Sequence, residues 1–277
     1  MRKSFADLRE ALAERYQVGR VLGRGGMATV YLAEDGETGV PVAIKVLRPE
    51  LASILGATRF HREIEILTRL RHPNILPILD SQETGPFLYY VMPYVSGDSL
   101  EARIQREAQL PLDLILHIAR DIAAAIDYAH SEGILHRDIK PGNVLLEEHR
   151  ALVCDFGIAR AIEMASGESI SSSGLVIGTP AYMSPEQSTS GEVNKRSDIY
   201  AFGCVLYEML TGEPPFTGAS FQAITARHIS ERPRSIRTVR PEVTLEMELA
   251  ILAALAKEPY ARPDSGARFV RLMAGTV

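Results

Sequence analysis

The chain has 277 residues, 46% of them hydrophobic and 23% charged, with a net charge of −5. This is enough apolar material for a real core, and it excludes a disordered chain. The basic footprint of a nucleic-acid binder is absent, so nucleic acid is not an expected partner. Cys154 and Cys204 both lie in apolar segments, which argues against a disulfide scaffold and for a reducing, cytoplasmic setting.

The chain opens with "SFADLREALAE", where Ser4 precedes Asp7 by a capping-box spacing and Phe5, Leu8 and Leu12 recur at helical intervals. A short amphipathic helix docked on the body is expected within 1–15. The first residues, "MRKSFADLRE", lack the apolar run of a signal peptide. The longest apolar helical stretch, Leu114–Ile126, is broken by His117, Arg120 and Asp121. It cannot span a bilayer. No membrane contact is expected of this segment, and any tether would have to lie outside it.

Over 16–93 the pattern is mostly strand. "YQVGRVLG", "ATVYLAE", "PVAIKVL", "ILPILDS" and "FLYYVMP" are rich in Val, Ile, Leu and Tyr and bounded by Gly, Pro or Asp. One helix interrupts them. "ATRFHREIEILTRLRH" spaces Phe60, Ile64, Leu67 and Leu70 by three or four, and Pro73 is expected to stop it. Over 94–277 the pattern is helical, with "DLILHIARDIAAAIDYAH", "SDIYAFGCVLYEMLTG" ending on Gly212, "LEMELAILAALAKE" and "SGARFVRLMAG". A sheet-rich part thus precedes a larger helical part, and the change near Val91–Gly97 marks where a ligand is expected.

Four stretches carry chemistry. In "LGRGGMATVYLAE", Gly23, Gly25 and Gly26 let the backbone approach a bound group, and their N–H groups can face phosphate oxygens. A strand follows this turn, which argues against a dinucleotide-binding strand–turn–helix. Lys45 lies mid-strand in "VAIK" and needs a counter-charge, with Glu63 and Glu65 on the next helix as candidates. Asp155 ends the apolar run "ALVC" in front of Phe156 and Gly157, a placement that suits a hard divalent cation. "HRDIKPGN" crowds His136, Arg137, Asp138, Lys140 and Asn143 between apolar segments.

"GRGGMATV", "VAIK", "HRDIKPGN", "DFG" and "SPE", in this order and at these separations, resemble the protein kinase family, and "GTPAYMSPEQ" is most similar to its bacterial serine/threonine members. The resemblance runs from about Tyr16 to Leu272 and implies an α+β, bilobal protein kinase fold. In it, residues 16–93 form a small antiparallel-sheet N-lobe with one key helix, and 94–277 a mainly helical C-lobe. It implies a signalling enzyme that transfers the γ-phosphate of ATP, with Mg²⁺ or Mn²⁺, to Ser/Thr hydroxyls of protein substrates.

By the resemblance, Asp138 accepts or orients the substrate hydroxyl proton, Lys140 steadies the transferring group, and Asn143 and Asp155 share the metal. Lys45 contacts the α- and β-phosphates and pairs with Glu63, while Glu65 points elsewhere. Leu22, Gly23, Arg24, Gly25 and Gly26 lie over ATP. Val30, Ala43 and Leu145 sandwich the adenine, Met92 stands at its back, and Pro93 and Val95 offer backbone groups. The ribose contact falls on Ser99 or on Asp98 beside it. Asp198 braces the catalytic loop, Glu186 pairs with Arg262, and Leu67, Ile78, His136 and Phe156 form an apolar spine. The third loop glycine is replaced by Ala28, and "APE" reads "SPE". Lys45, Asp138, Asn143 and Asp155 are all present, which favours an active kinase over a binding module on the same fold.

The segment between Asp155 and Glu186 is expected to be a switch that the kinase itself phosphorylates. Ser171 and Ser173 are first choices, Ser169 and Ser172 next, with Arg137 receiving a phosphate. Thr179 is expected to bond Asp138 and Lys140. The resemblance also raises pairing of two N-lobes into a homodimer, and a chain continuing past Val277 into a membrane tether.

Overall fold

The computed structural model describes residues 5–156, 180–189 and 191–275. Two compact units partition them, one of residues 5–71 and 76–96, the other of 72–75, 97–156 and 180–275.

The first unit is built on a five-stranded antiparallel sheet in the order β1-β2-β3-β5-β4. Its strands are β1 (Tyr16–Arg24), β2 (Ala28–Asp35), β3 (Pro41–Leu47), β4 (Asp80–Thr84) and β5 (Phe87–Pro93). The alternation of side chains along each strand decides what each face does. Val42, Ile44 and Val46 of β3 and Phe87, Tyr89 and Val91 of β5 turn to one face, where they meet Leu8 and Leu12 of α1 (Phe5–Leu12) and Tyr16 and Val18 of β1. The opposite face therefore receives Ala43 and Lys45, directly across from Met92 and Tyr90, with Val30 across from Lys45. The expected docking helix is thus present. Its Ser4 cap lies outside the described residues.

Three details differ from the sequence expectation. Strand β4 begins at Asp80, because Pro77 has no N–H to give a ladder and Leu79 makes a single bond to the Val91 carbonyl (2.8 Å). A helix, α2 (Pro49–Leu55), was not anticipated; it opens on Pro49 and buries Leu51, Ala52 and Leu55. Helix α3 (Ala57–Leu67) ends five residues before His72, its Thr68 hydroxyl turned back onto the Glu65 carbonyl at 2.8 Å.

The second unit is mainly helical, with α4 (Leu100–Glu107), α5 (Leu112–Ser131), α6 (Pro185–Ser188), α7 (Lys195–Thr211), α8 (Phe221–Ser230), α9 (Leu245–Ala254) and α10 (Gly266–Met273). Helices α4 and α8 were not anticipated. A hairpin, β6 (Val144–Glu147) and β7 (Arg150–Val153), follows a 3₁₀ turn at Pro141–Asn143. Helix α7 is the core of the unit, buried on every side from Ser197 to Leu210. Gly212 ends it at φ 85°, its N–H on the Glu208 carbonyl (2.7 Å), as the sequence indicated. No helix among the described residues is long and apolar enough to cross a membrane.

Candidate active site

In the first unit the glycine turn closes when the N–H of Gly25 donates to the Ala28 carbonyl (2.9 Å). In this structure that amide is spent on the protein itself. A Cβ at Gly23 or Gly26 would meet nothing within 4 Å, and neither glycine has a left-handed φ. The protein's own packing therefore gives no reason for glycine at these two positions, and each leaves room for a bound group to approach the backbone. Leu22 is half-buried and Arg24 exposed at the end of β1, where Arg24 pairs across from Thr29.

Lys45 is half-buried, its Nζ 6.0 Å from the centre of the Tyr90 ring. Glu65 is exposed and pairs with Arg69 at 3.6 Å, so it does point elsewhere. Glu63 is half-buried on α3, and among the described residues no ion pair engages it. Ala43, Met92 and Val95 are buried, Val30 and Pro93 half-buried. Val95 makes no backbone hydrogen bond among the described residues, which leaves its N–H and C=O for a ligand.

The second unit assembles "HRDIKPGN" around Asp138. Lys140 Nζ donates to Asp138 Oδ2 at 2.6 Å, and Asn143 Nδ2 donates to the same oxygen at 3.1 Å and to the Asp138 carbonyl at 2.8 Å. With its NH₂ committed there, Asn143 keeps Oδ1 as an acceptor. The Asn143 carbonyl in turn accepts from the N–H of Cys154 (3.0 Å), the residue before Asp155. An amide oxygen and a carboxylate thus come from neighbouring backbone. These are hard oxygen donors, few in number, and they fit a cation such as Mg²⁺ that keeps waters and binds phosphate.

His136 joins these parts. It is 1% exposed, and burial, outweighing the nearby Asp198 and Asp138 carboxylates, lowers its pKa. The neutral ring donates from Nε2 to the Cys154 carbonyl (2.9 Å) and accepts at Nδ1 from the Asp138 N–H (3.2 Å). Its face meets Phe156 at 4.5 Å between centroids. Beneath lies Asp198, 2% exposed, which accepts from the N–H of His136 (2.9 Å), the N–H of Arg137 (2.8 Å) and His130 Nε2 (2.7 Å). Burial alone would raise the Asp198 carboxyl, but these bonds outweigh it and hold its pKa below the ordinary value. Arg137 and Asp155 both adopt left-handed backbone, φ 69° and 67°, a strain of the kind found at functional sites.

The Glu186–Arg262 bridge is formed, at 2.7 and 2.8 Å and buried. Leu145 is half-buried on β6 and bridges to Ser99. The Ser99 hydroxyl caps α4 by accepting from Ala102 N (3.1 Å), while Asp98 is held by Arg106 at 2.6 Å. Ser169, Ser171, Ser172, Ser173 and Thr179 lie outside the described residues, as does Gly157.

Sequence reasoning missed three supports. Asn74 accepts from Val153 N (2.8 Å) and donates to the Ala151 carbonyl (3.1 Å), steadying β7. His130 braces Asp198. Gln187 reaches the Arg137 carbonyl at 2.9 Å. Only the polar character of Asn74 and His130 next to apolar runs could have pointed to them.

A family model for the protein kinase domain matches residues 16–267. The serine/threonine-protein kinase PknB of Mycobacterium leprae is 40% identical over 262 residues, covering 92% of this chain and 42% of the relative. A probable serine/threonine-protein kinase of Streptomyces coelicolor is 42% identical over 260 residues, covering 92% and 38%. The chain therefore spans less than half the length of the curated relatives it matches. Among solved structures, a mutant PknI kinase domain of Mycobacterium tuberculosis superposes with a TM-score of 0.74 at 31% identity, covering 94% of each chain. Rad53 in complex with AMP-PNP gives 0.77 at 28% identity, covering 94% of this chain and 65% of the other. With its small antiparallel sheet, its helical second unit and a family model matched over most of its length, the chain belongs to the protein kinase family.

Proposed function

We propose that this domain transfers the γ-phosphoryl group of ATP to serine or threonine hydroxyls of proteins, its own segment between Asp155 and Glu186 included. Asp138 takes the proton as the hydroxyl oxygen bonds to phosphorus and the bond to the β–γ bridging oxygen breaks. The observation that carries this reading is the Asp138 carboxylate, oriented by Lys140 at 2.6 Å and Asn143 at 3.1 Å on a loop braced from below by Asp198. Such a reaction needs positioning and charge neutralisation more than covalent chemistry.

Family membership implies ATP and a divalent cation in general; Mg²⁺, or Mn²⁺ in its place, is the finer proposal. Asn143 Oδ1 and Asp155 would hold it, and a bound cation supplies neutralisation of the phosphate oxygens. Gly23 and Gly26, Lys45 and the backbone of Val95 would hold the nucleotide; the related Rad53 has a nucleotide analogue bound. Ser99 is the better placed of the two ribose candidates, because Asp98 is engaged by Arg106. The setting proposed is cytoplasmic, with Ser171 and Ser173 as first phosphorylation sites and two N-lobes pairing as a homodimer.

The decisive experiment follows transfer of labelled phosphate from Mg-ATP to a generic protein substrate and to the chain itself. Wild type is expected to label both and Asp138→Asn neither. Equal labelling by the two proteins would refute the assignment. Mass spectrometry of 166–173 and sedimentation of the purified domain test the phosphorylation sites and the pairing.

A further inference from the structure

The peptide joining Arg137 to Asp138 decides where the Asp138 carboxylate points. Arg137 carries it in left-handed backbone at φ 69°, uncommon for any residue with a side chain, so the surroundings have to hold it there. The N–H end of this peptide is taken by His136 Nδ1 at 3.2 Å. Its carbonyl end accepts from Nε2 of Gln187 at 2.9 Å, across fifty residues of chain. Gln187 is itself fixed. Its Oε1 accepts from the Ser184 N–H (3.1 Å) and hydroxyl (3.0 Å) in the capping box of α6. The orientation of the amide follows from chemistry, because a backbone carbonyl can only accept and a backbone N–H can only donate.

We propose that Gln187 is a positioning residue for phosphoryl transfer: its side-chain N–H locks the Arg137–Asp138 peptide and so aims the Asp138 carboxylate. Asp198 holds the preceding N–H of Arg137 from the other side (2.8 Å), so the strained residue is clamped between two carriers on α6 and α7. Without Gln187 the peptide can rotate about the bonds that flank it, and the carboxylate turns with it. Lys140 and Asn143 are bonded to that carboxylate and would lose their common anchor. Helix α6 thereby reaches the catalytic loop through the Gln187–Arg137 hydrogen bond. This inference rests on Asp138 having the role given above.

Gln187→Glu isolates the bond. The carboxylate keeps both oxygens for Ser184 but at neutral pH has no proton to give the Arg137 carbonyl. Expected is a fall in kcat of about tenfold from the misaimed Asp138 carboxylate, with KM for ATP, ADP affinity and melting temperature unchanged. The deficit should shrink as pH is lowered, because a protonated carboxyl donates again. Turnover within about twofold of wild type at neutral pH, or a loss that tracks a lowered melting temperature, overturns the proposal. If Gln187→Glu does not fold, Gln187→Met decides on the same readouts, and failure of both to fold marks a structural residue and overturns it too. Asp138→Asn in the same assay separates the two readings. Turnover retained there sinks the role of Asp138, whereas a dead Asp138→Asn beside a normal Gln187→Glu sinks only the role of Gln187.

Discussion

Replacing Asp198 with Asn should cripple transfer while leaving the shape of the side chain intact. Oδ2 accepts from the His136 N–H at 2.9 Å and His130 Nε2 at 2.7 Å, and Oδ1 from the Arg137 N–H at 2.8 Å. An amide has one oxygen, so in either orientation its NH₂ faces at least one of the two backbone N–H groups. The site is 2% exposed, and water cannot repair the mismatch. Hydrogen bonds to a charged group contribute ~1.5–3 kcal/mol each, and a buried donor left unpaired costs a further ~1–3 kcal/mol. The loop can relieve the mismatch only by leaving the left-handed conformation of Arg137, which moves Asp138. If only one charge-assisted bond is lost from the transition state, kcat falls ~10- to 10²-fold, at 1.36 kcal/mol per decade. The assay is steady-state transfer from Mg-ATP, read beside hydrogen exchange at the His136 and Arg137 amides. Asp198→Asn should speed exchange at one or both. Wild-type turnover together with undiminished protection would show that Asp198 does not hold the loop, and the reasoning would fail.

Lys45→Met should lower the rate by ~10²–10³, as loss of an electrostatic contact to the reacting phosphates does, while the domain stays folded by circular dichroism; near-normal turnover would remove Lys45 from the site. Asp155→Ala should weaken nucleotide binding in Mg²⁺ but not in EDTA, and calorimetry giving equal Mg-ATP affinities would remove the metal role. All five N–H groups of Arg262 have acceptors, namely both Glu186 oxygens and the carbonyls of Arg196, Ala256 and Lys257. Arg262→Met leaves Glu186 buried without its counter-charge, its remaining bond from the Ser197 hydroxyl being neutral, and should cost ~3–5 kcal/mol in urea unfolding. Burial raises the Glu186 carboxyl, but the bonds from Arg262 and Ser197 outweigh it and depress the pKa. The stability this gives is present above the unfolded carboxylate pKa of ~4.3 and lost as pH falls through the lower folded value; loss already between ~pH 5 and 7 would contradict the pairing. Glu208 is the reverse case: burial pushes its carboxyl up to about 7, against the bond from the Tyr182 hydroxyl. Its ionisation therefore opposes folding as pH rises from ~4.3 to about 7, and Glu208→Gln should stabilise the protein at ~pH 8, by at most ~4 kcal/mol, with little effect at ~pH 4.

What could be read before the structure, and what could not, divides along a physical line. The strands "PVAIKVL" and "FLYYVMP" are visible because both are rich in β-branched and aromatic residues and nearly every position is buried. The long helices α5 and α7 are visible because their apolar positions recur over many turns. Helix α2 is seven residues long, and α4 and α8 bury only Leu100 with Ile104, and His228, so their periodic signal is too short to stand above chance. In the site, Asp138, Lys140, Asn143 and Asp155 could be named because they stand in short motifs that resemble those of the protein kinase family. The residues that aim them are less restricted. Any donor at the right distance could hold the Arg137 carbonyl, and Gln187 does so from fifty positions away, as His130 reaches Asp198 from 68. Nor does the left-handed backbone at Arg137 and Asp155 show in the chain, since neither residue is glycine and the strain is imposed by partners distant in sequence. Two chains with identical catalytic motifs can therefore differ in rate through positions such as 74, 130 and 187, where nothing in a motif would differ.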